Sequence, residues 1–312
     1  MRLVKNIGLY LTLILGTVLL FIGGKYEGAP RSYMDLWDLG HVLLFTIASY
    51  LLIRDFNRLS GKSFWIHIAL ITLLCSVIGI ITELIQVNFD RTPDIGDLGR
   101  DILGGWIAVV FFIPSRLHIA KKLLKRFKII VVLLSLLALF PITRSVADEV
   151  LAQVQFPLLS DFETRFEIYR WDAYYSKVTI DTSVATSGRA SMKIMLSTNK
   201  YSGIFLKHFP TNWEDYRHLN FSLYNPDIDS LILVIRIHDE NHRNYNYHYS
   251  DRFNKHVTIT SGWNNISIPL QEIKVAPKTR LINLAKIEML GIFAVNLPQP
   301  RTIYIDHVKL TR

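Results

Sequence analysis

The sequence predicts two unlike domains in one chain: an α-helical membrane bundle of five spans, followed by an all-β sandwich. Half of the 312 residues are hydrophobic and the mean hydropathy is +0.25, too high for an ordinary soluble protein and too low for a chain lying wholly in a membrane. Long apolar runs are confined to the part before residue 150. From Phe156 onward the apolar pattern changes period, with alternating or β-branched runs bounded by turn residues.

The apolar runs are Ile7 to Gly24, Leu39 to Ile53, Phe64 to Val87, Ile102 to Pro114 and Ile129 to Ile142. The first and third suffice to cross a hydrocarbon core, which needs roughly 20 helical residues. The others must borrow polar flanks, giving spans at about 7–24, 37–53, 64–87, 97–114 and 128–145. Arg2 and Lys5 precede the first run as they would in a signal peptide, but no clean small-x-small cleavage site follows, so it reads as a retained helix. Lys and Arg alternate between connections: the amino terminus and the loops 54–62 and 116–128 hold 11, whereas 25–38 and 88–100 hold four. By the positive-inside rule the amino terminus is cytoplasmic. Five spans then deliver the carboxy-terminal domain outside the plasma membrane. The expected division is a membrane domain over 1–145, a linker over 146–155 and an extracytoplasmic sandwich over 156–312.

The net charge of +9 is spread over both halves, with 16 Lys and Arg against 11 Asp and Glu before residue 155 and 19 against 15 after it. A nucleic-acid binder concentrates its basic residues on one face or tail, so no nucleic-acid partner is expected. Cys75 is the single cysteine, which excludes an internal disulfide and a cysteine-based metal cluster.

An anchoring bundle needs no ionisable groups, yet this one has several near the outer face: Asp38 and His41, then Glu83 and Gln86, then Arg91, Asp94, Asp97, Arg100 and Asp101. Asp38 and His41 share a helix face, as do Glu83 and Gln86. A carboxylate at membrane depth is costly unless partnered, so Glu83 is expected to look into the bundle toward His41 or Arg91. The stretch Asp38-Leu-Gly-His41, with Thr82-Glu83-Leu-Ile-Gln86-x4-Arg91-x2-Asp94-x2-Asp97-x3-Asp101-x2-Gly104, resembles the VanZ-like membrane protein family over residues 8 to 115. The sequence departs from that family at Asp101, where asparagine is usual, and at Ala108, where a second glycine is common. The resemblance implies a multi-spanning cell-envelope domain, sometimes linked to glycopeptide antibiotic tolerance.

Several roles remain open for these side chains. Asp38, His41, Glu83, Gln86, Arg91, Asp94, Asp97 and Asp101 would line a polar pocket at the outer leaflet for an envelope lipid, a sugar phosphate or a lipid-linked glycan precursor. Glu83, Asp94 and Asp97 would equally suit a divalent cation. His41 and Glu83 within reach of one another would serve an acid/base enzyme acting on a lipid-linked glycan; the leading expectation is a binding or accessory protein rather than an enzyme.

In the second half the strands are read at 177–181, 191–196, 219–224, 231–237, 256–260, 263–268 and 302–310, separated by Ser187-Gly188, Asn225-Pro226, Ser261-Gly262 and Pro298 to Pro300. About 150 residues can form their own core without disulfides. The stretch His238 to Phe253 places Tyr245, Tyr247 and Tyr249 at period two, hence on one face if it is a strand. Aromatic faces beside Asp239, Arg243 and Arg252 would suit a glycan; packed inside the sandwich the same tyrosines would be core. The order Ser160-Asp-Phe-Glu163, Trp171, Ser187-Gly-x-Ala-Ser191, Asn212-Trp213-x2-Tyr216, Tyr224-Asn-Pro226, Ser261-Gly-Trp263 and Ile303-x-Ile-Asp306 resembles a galactose-binding-like jelly-roll carbohydrate-binding module over 156–312. That resemblance implies glycan binding and a structural calcium ion held by Asp161, Glu163 and Asp306. A glycosidase needs two carboxylates at fixed separation, and here they are only scattered.

Overall fold

The computed structural model describes residues 2–22, 28–56, 62–87, 94–113 and 119–312. The chain divides into two compact units, Met1–Ser145 and Val146–Arg312.

The first unit is helical. Its elements are α1 (Arg2–Ile22), α2 (Arg31–Asp55), α3 (Phe64–Gln86), α4 (Ile95–Ile107) running into a π-helical turn (Ala108–Phe112), and the start of α5 (Lys121–Gln155). Leu- and Ile-rich runs favour helix. The Asp94 side chain caps α4 by accepting from the Gly96 N–H at 2.8 Å, with Asp97 in the first turn complementing the helix dipole. Helix α4 packs against α2 and α3 because its small residues let backbones approach. A Cβ on Gly104 would lie 2.5 Å from the Val42 carbonyl oxygen, and one on Gly105 would lie 2.5 Å from Ile71 Cγ2. The unit is apolar outside as well as within: Leu73, Leu84, Leu133 and Leu137 are exposed, while Asp38, His41, Asp97 and Asp101 are buried.

Helices α2, α3 and α5 are long and apolar enough to cross a membrane. Among the described residues this makes three such helices rather than five: the apolar part of α1 is the shorter stretch Ile7–Phe21, and α4 has 13 residues. The stretch expected as a linker, 146–155, is instead the end of α5 and belongs to the second unit. Within it Asp148 is fully buried against Arg170 Nη2 at 2.8 Å.

The second unit is a sandwich of two antiparallel sheets. In chain order its strands are β1 (Leu158–Ser160), β2 (Trp171–Tyr174), β3 (Ser176–Asp181), β4 (Ser191–Leu196), β5 (Tyr201–Leu206), β6 (His218–Asn225), β7 (Leu231–Asp239), β8 (Phe253–Ile259), β9 (Gly262–Pro269), β10 (Ile287–Val295) and β11 (Arg301–Thr311), with the short α6 (Leu270–Lys274) after β9. One sheet runs β3-β4-β11-β6-β9, with β1 also paired to β11, and the other runs β2-β5-β10-β7-β8. The core between them is built from Met192, Ile194, Leu223 and Ile305 of the first and Leu206, Ile235, Ile237 and Leu290 of the second, with Trp213 fully buried. Strands β1, β2, β5 and β10 fall outside the expected set.

Candidate functional site

Two groups of side chains have more polarity or exposed aromaticity than packing requires. In the helical unit, His41 of α2 is buried, with Nδ1 2.9 Å from Asp101 Oδ1 and Nε2 3.6 Å from Asp97 Oδ2. The Nε2 atom has no hydrogen-bond partner among the described residues. Arg100 donates to Asp97 one turn away, lies 3.4 Å from Asp94 and has Nη2 3.8 Å from Asp38. Asp38, Asp94 and Asp97 present oxygens within 4.8 Å of one another, the spacing of a cation's ligands. Asp38, His41, Asp94, Asp97 and Asp101 are thus brought together around Arg100.

Glu83 and Gln86 differ from expectation. Glu83 accepts the Asp94 N–H at 2.8 Å, tying the end of α3 to the start of α4. No hydrogen bond joins it to His41 among the described residues, whose carboxylate partner is Asp101. Gln86 turns toward α1 and donates to the Leu20 carbonyl at 3.0 Å. Arg91 lies outside the described residues. The carboxylate triad contains Asp38 where Glu83 was expected. Beside the cluster, a cavity of about 400 Å³ is lined by Gly99, Arg100, Leu103, Trp106, Leu137 and Pro141.

In the sandwich, the segment read as a tyrosine strand is not one. Glu240–Tyr245 and Tyr249–Asp251 are 3₁₀ turns, and Asn246 and Tyr247 have left-handed φ of 51° and 54°. The tyrosines therefore diverge. Tyr245 lies against the Arg280 guanidinium, Tyr247 packs edge-on to His242, and Tyr249 lies against Arg252. Asp239 is fully buried and accepts from Arg280 at 2.6 and 2.7 Å and from the Asn283 N–H at 2.7 Å, so it braces the fold. Arg243 donates to Glu288 at 2.6 Å. Of the expected contact residues, Tyr245, Tyr247 and Tyr249 keep open surface, and Arg243 and Arg252 are partly exposed.

The residues the pattern missed lie on the outer face of the sheet β2-β5-β10-β7-β8. Cross-strand register puts Asp172, Phe205, Gly291, Arg236 and Asn254 in one row. The adjacent row holds Tyr174, Gly203, Phe293, Val234 and His256. The glycines make room for rings: a Cβ on Gly291 would lie 2.7 Å from Phe205 ring carbons, and one on Gly203 would lie 2.4 Å from the Phe293 backbone. Tyr174, Phe205, Phe293 and Tyr201 form a continuous run of rings with successive centroids 6.1, 6.0 and 6.0 Å apart. Tyr174 and Tyr201 remain 47% and 43% exposed and Phe205 is partly exposed, whereas Phe293 is buried and backs them, so the open part of this run is aromatic. Glycine inside a strand pattern was the available signal, because it marks close approach to the backbone.

The three carboxylates expected to hold calcium are instead placed as acceptors for backbone amides. Glu163 accepts from Arg189 and Ala190 at 2.6 and 3.0 Å, Asp306 from Thr186 and Ser187 at 2.8 and 3.0 Å, and Asp161 from Glu163 at 3.3 Å. They do not converge as a ligand triad: among the described residues the group that does is Asp38, Asp94 and Asp97. Among the described residues Asp306 Oδ1 is buried without a hydrogen-bond partner, but burial pushes its carboxyl pKa up, toward the neutral form. This donor set fits turn bracing better than an ion.

Comparison with known proteins bears on this unit. Residues 161–312 match the family described as CBM30, Carbohydrate binding domain 30. Similar solved structures include the family 11 carbohydrate-binding module from Clostridium thermocellum in complex with a β-1,3-1,4-mixed-linked tetrasaccharide, at 18% identity over 49% of this chain and 94% of that one, with a TM-score of 0.37. An exo-β-agarase matches at 14% identity over 49% of this chain and 24% of that one, with a TM-score of 0.40. No curated protein matches the chain.

Proposed function

We propose that the protein is an integral membrane protein of the cell envelope whose carboxy-terminal sandwich binds glycan on the outer face of the sheet β2-β5-β10-β7-β8. The observation that carries this is the run Tyr174, Phe205, Phe293 and Tyr201, laid on glycine gaps in a unit that matches a carbohydrate-binding family. Aromatic faces offer flat apolar area at low entropic cost, and sugar rings present C–H faces that stack on it. The exposed leucines of α3 and α5 around a buried polar interior support residence in a bilayer. Glycan-array binding by residues 146–312 tests the reading. The fragment begins before Asp148 because that carboxylate closes the buried pair with Arg170. Retention of glycan that falls when Phe293 and Tyr201 become Ala is expected; a folded fragment that retains no glycan overturns it.

For the helical unit, a VanZ-like pocket that receives an envelope lipid or lipid-linked glycan precursor follows from the motif resemblance. The cavity beside Arg100, with Trp106, Leu137 and Pro141 in its wall, supports room for an acyl or isoprenoid chain. One observation favours a second, catalytic reading. His41 is oriented through Nδ1 by Asp101, while Nε2 faces Asp97 at 3.6 Å and has no hydrogen bond among the described residues, an arrangement that suits a general base. On this reading His41→Gln abolishes the envelope phenotype at unchanged expression and fold, and retained function excludes catalysis.

A further inference from the structure

The sandwich has six arginines that are at least half buried: Arg170, Arg236, Arg243, Arg252, Arg280 and Arg301. Four are neutralised by carboxylates. Arg170 pairs with Asp148, Arg243 with Glu288, Arg280 with Asp239 and Asp251, and Arg301 with Asp227. The other two have no acidic partner among the described residues. The Arg236 Nε is buried with no hydrogen-bond partner, and Arg252 offers only a 3.2 Å hydrogen bond to Asn254 and a contact with the Tyr249 ring.

The two are neighbours on one surface. Arg236 of β7 stands opposite Asn254 of β8 and Gly291 of β10, in the row that contains Phe205. Arg252 reaches the same Asn254. Burial and then the Arg252 charge pull the Arg236 pKa down to about 10, and burial lowers that of Arg252 as well. Two half-buried cations that repel one another are costly unless an anion joins them. Guanidinium groups also match the planar, bidentate geometry of carboxylate, sulfate and phosphate oxygens.

Resting on the glycan-binding reading above, we propose that this face selects an anionic glycan, with Arg236 and Arg252 receiving a carboxylate, sulfate or phosphate of the repeat while the rings of Phe205 and Tyr201, backed by Phe293, receive the adjoining sugar. The site lies toward the β8 edge of the sheet, where Arg236 of β7 and Arg252, just before β8, flank Asn254.

The test is affinity electrophoresis and calorimetry with the full chain in detergent micelles. The probes are polygalacturonate for carboxylate, carrageenan for sulfate, glycerol teichoic acid for phosphate, and mixed-linkage β-glucan and agarose as neutral polymers. At least one anionic probe is expected to bind more tightly than both neutral ones. Affinity should fall by at least about tenfold in Arg236→Gln and in Arg252→Gln, the scale of one lost charge-assisted hydrogen bond. Arg252→Lys, which keeps the charge but loses the fork, should fall between, with near-ultraviolet circular dichroism confirming the fold of each variant. Lys177→Gln removes one exposed charge from the other sheet and should change nothing; an equal drop there means nonspecific attraction and overturns the proposal. A neutral polymer bound as well as the anionic ones, with both arginine variants unaffected, overturns it while leaving glycan binding intact. Failure of every polymer to bind the folded protein defeats both readings.

Discussion

Gly291 and Gly203 separate the surface role of a residue from its structural role. A methyl on Gly291 would crowd Phe205 Cδ1 and Cε1 at 2.7 Å, atoms of a ring that can swing outward, and reach Arg236 Cβ at an ordinary contact of 3.6 Å. A methyl on Gly203 would lie 2.3 Å from the Ile292 carbonyl oxygen and 2.4 Å from Phe293 Cα, atoms of the sheet itself. Gly291→Ala should therefore leave stability within about 1 kcal/mol, because reduced freedom in the unfolded chain offsets the displaced ring. It should still weaken glycan binding by tilting Phe205 off the platform. Gly203→Ala should lose about 1–3 kcal/mol through forced backbone shifts. Thermal unfolding and affinity electrophoresis on the pair decide the matter. Unchanged affinity in a folded Gly291→Ala variant would mean that Phe205 is not part of the binding surface.

The segment from the end of β7 to the start of β8 shows the same division at the level of an element. It is pinned by Arg280 between Asp239 and Asp251, and by His242 Nδ1 3.0 Å from Asp251. Beneath it His238 packs against His242, the rings tilted with centroids 4.6 Å apart. Burial first, then the charges of Arg236 and His242, push the His238 pKa from 6.5 down to about 3; burial also lowers that of His242, against the pull of Asp251. An unfolded chain thus takes up protons near pH 6.5 that the folded chain refuses. The stability from a neutral His238 is complete above that pH and is lost as pH falls toward about 3, at up to ~1.4 kcal/mol per unit. Urea titrations of His238→Phe should show a shallower decline between pH 6.5 and 4 than wild type, and parallel slopes would contradict the buried neutral ring. Little of this element was legible in the sequence: the tyrosine alternation suggested a strand, but Asn246 and Tyr247 in left-handed conformation and the Arg280 anchor, far along the chain, impose turns. Strands β5 and β10 were missed for a related reason. Each is covered by core on one face and by rings on the other, so Ile287 to Val295 shows no polar alternation. The helical cluster was more legible, because a carboxylate or histidine in an apolar run stands out locally. Its pairing was not, since Asp101 takes the histidine that Glu83 was expected to meet.

At the scale of the whole molecule, the change of apolar period near residue 150 marks the two units, and the orientation proposed for them rests on where the basic residues fall. Connections 54–62 and 116–128, with the amino terminus, carry most of the Lys and Arg of the first unit, and by the positive-inside rule this supports the proposal that they lie inside and residues 146–312 outside. Cys75 makes this directly measurable. It is the only cysteine, and it is buried at 3% exposure beside Ser49, so a thiol reagent meets little native background. Ile228, 93% exposed in the sandwich, and Lys62, exposed at the start of α3, offer one reporter on each proposed side. A membrane-impermeant maleimide added to intact spheroplasts should label Ile228→Cys and leave Lys62→Cys unmodified until the cells are lysed. The reverse pattern would put the sandwich in the cytoplasm, away from envelope glycans, and the glycan reading would then have to find an intracellular polymer or be abandoned. Labelling of both sites in intact spheroplasts would instead put an even number of crossings between Lys62 and Ile228, against the three that the charge alternation requires.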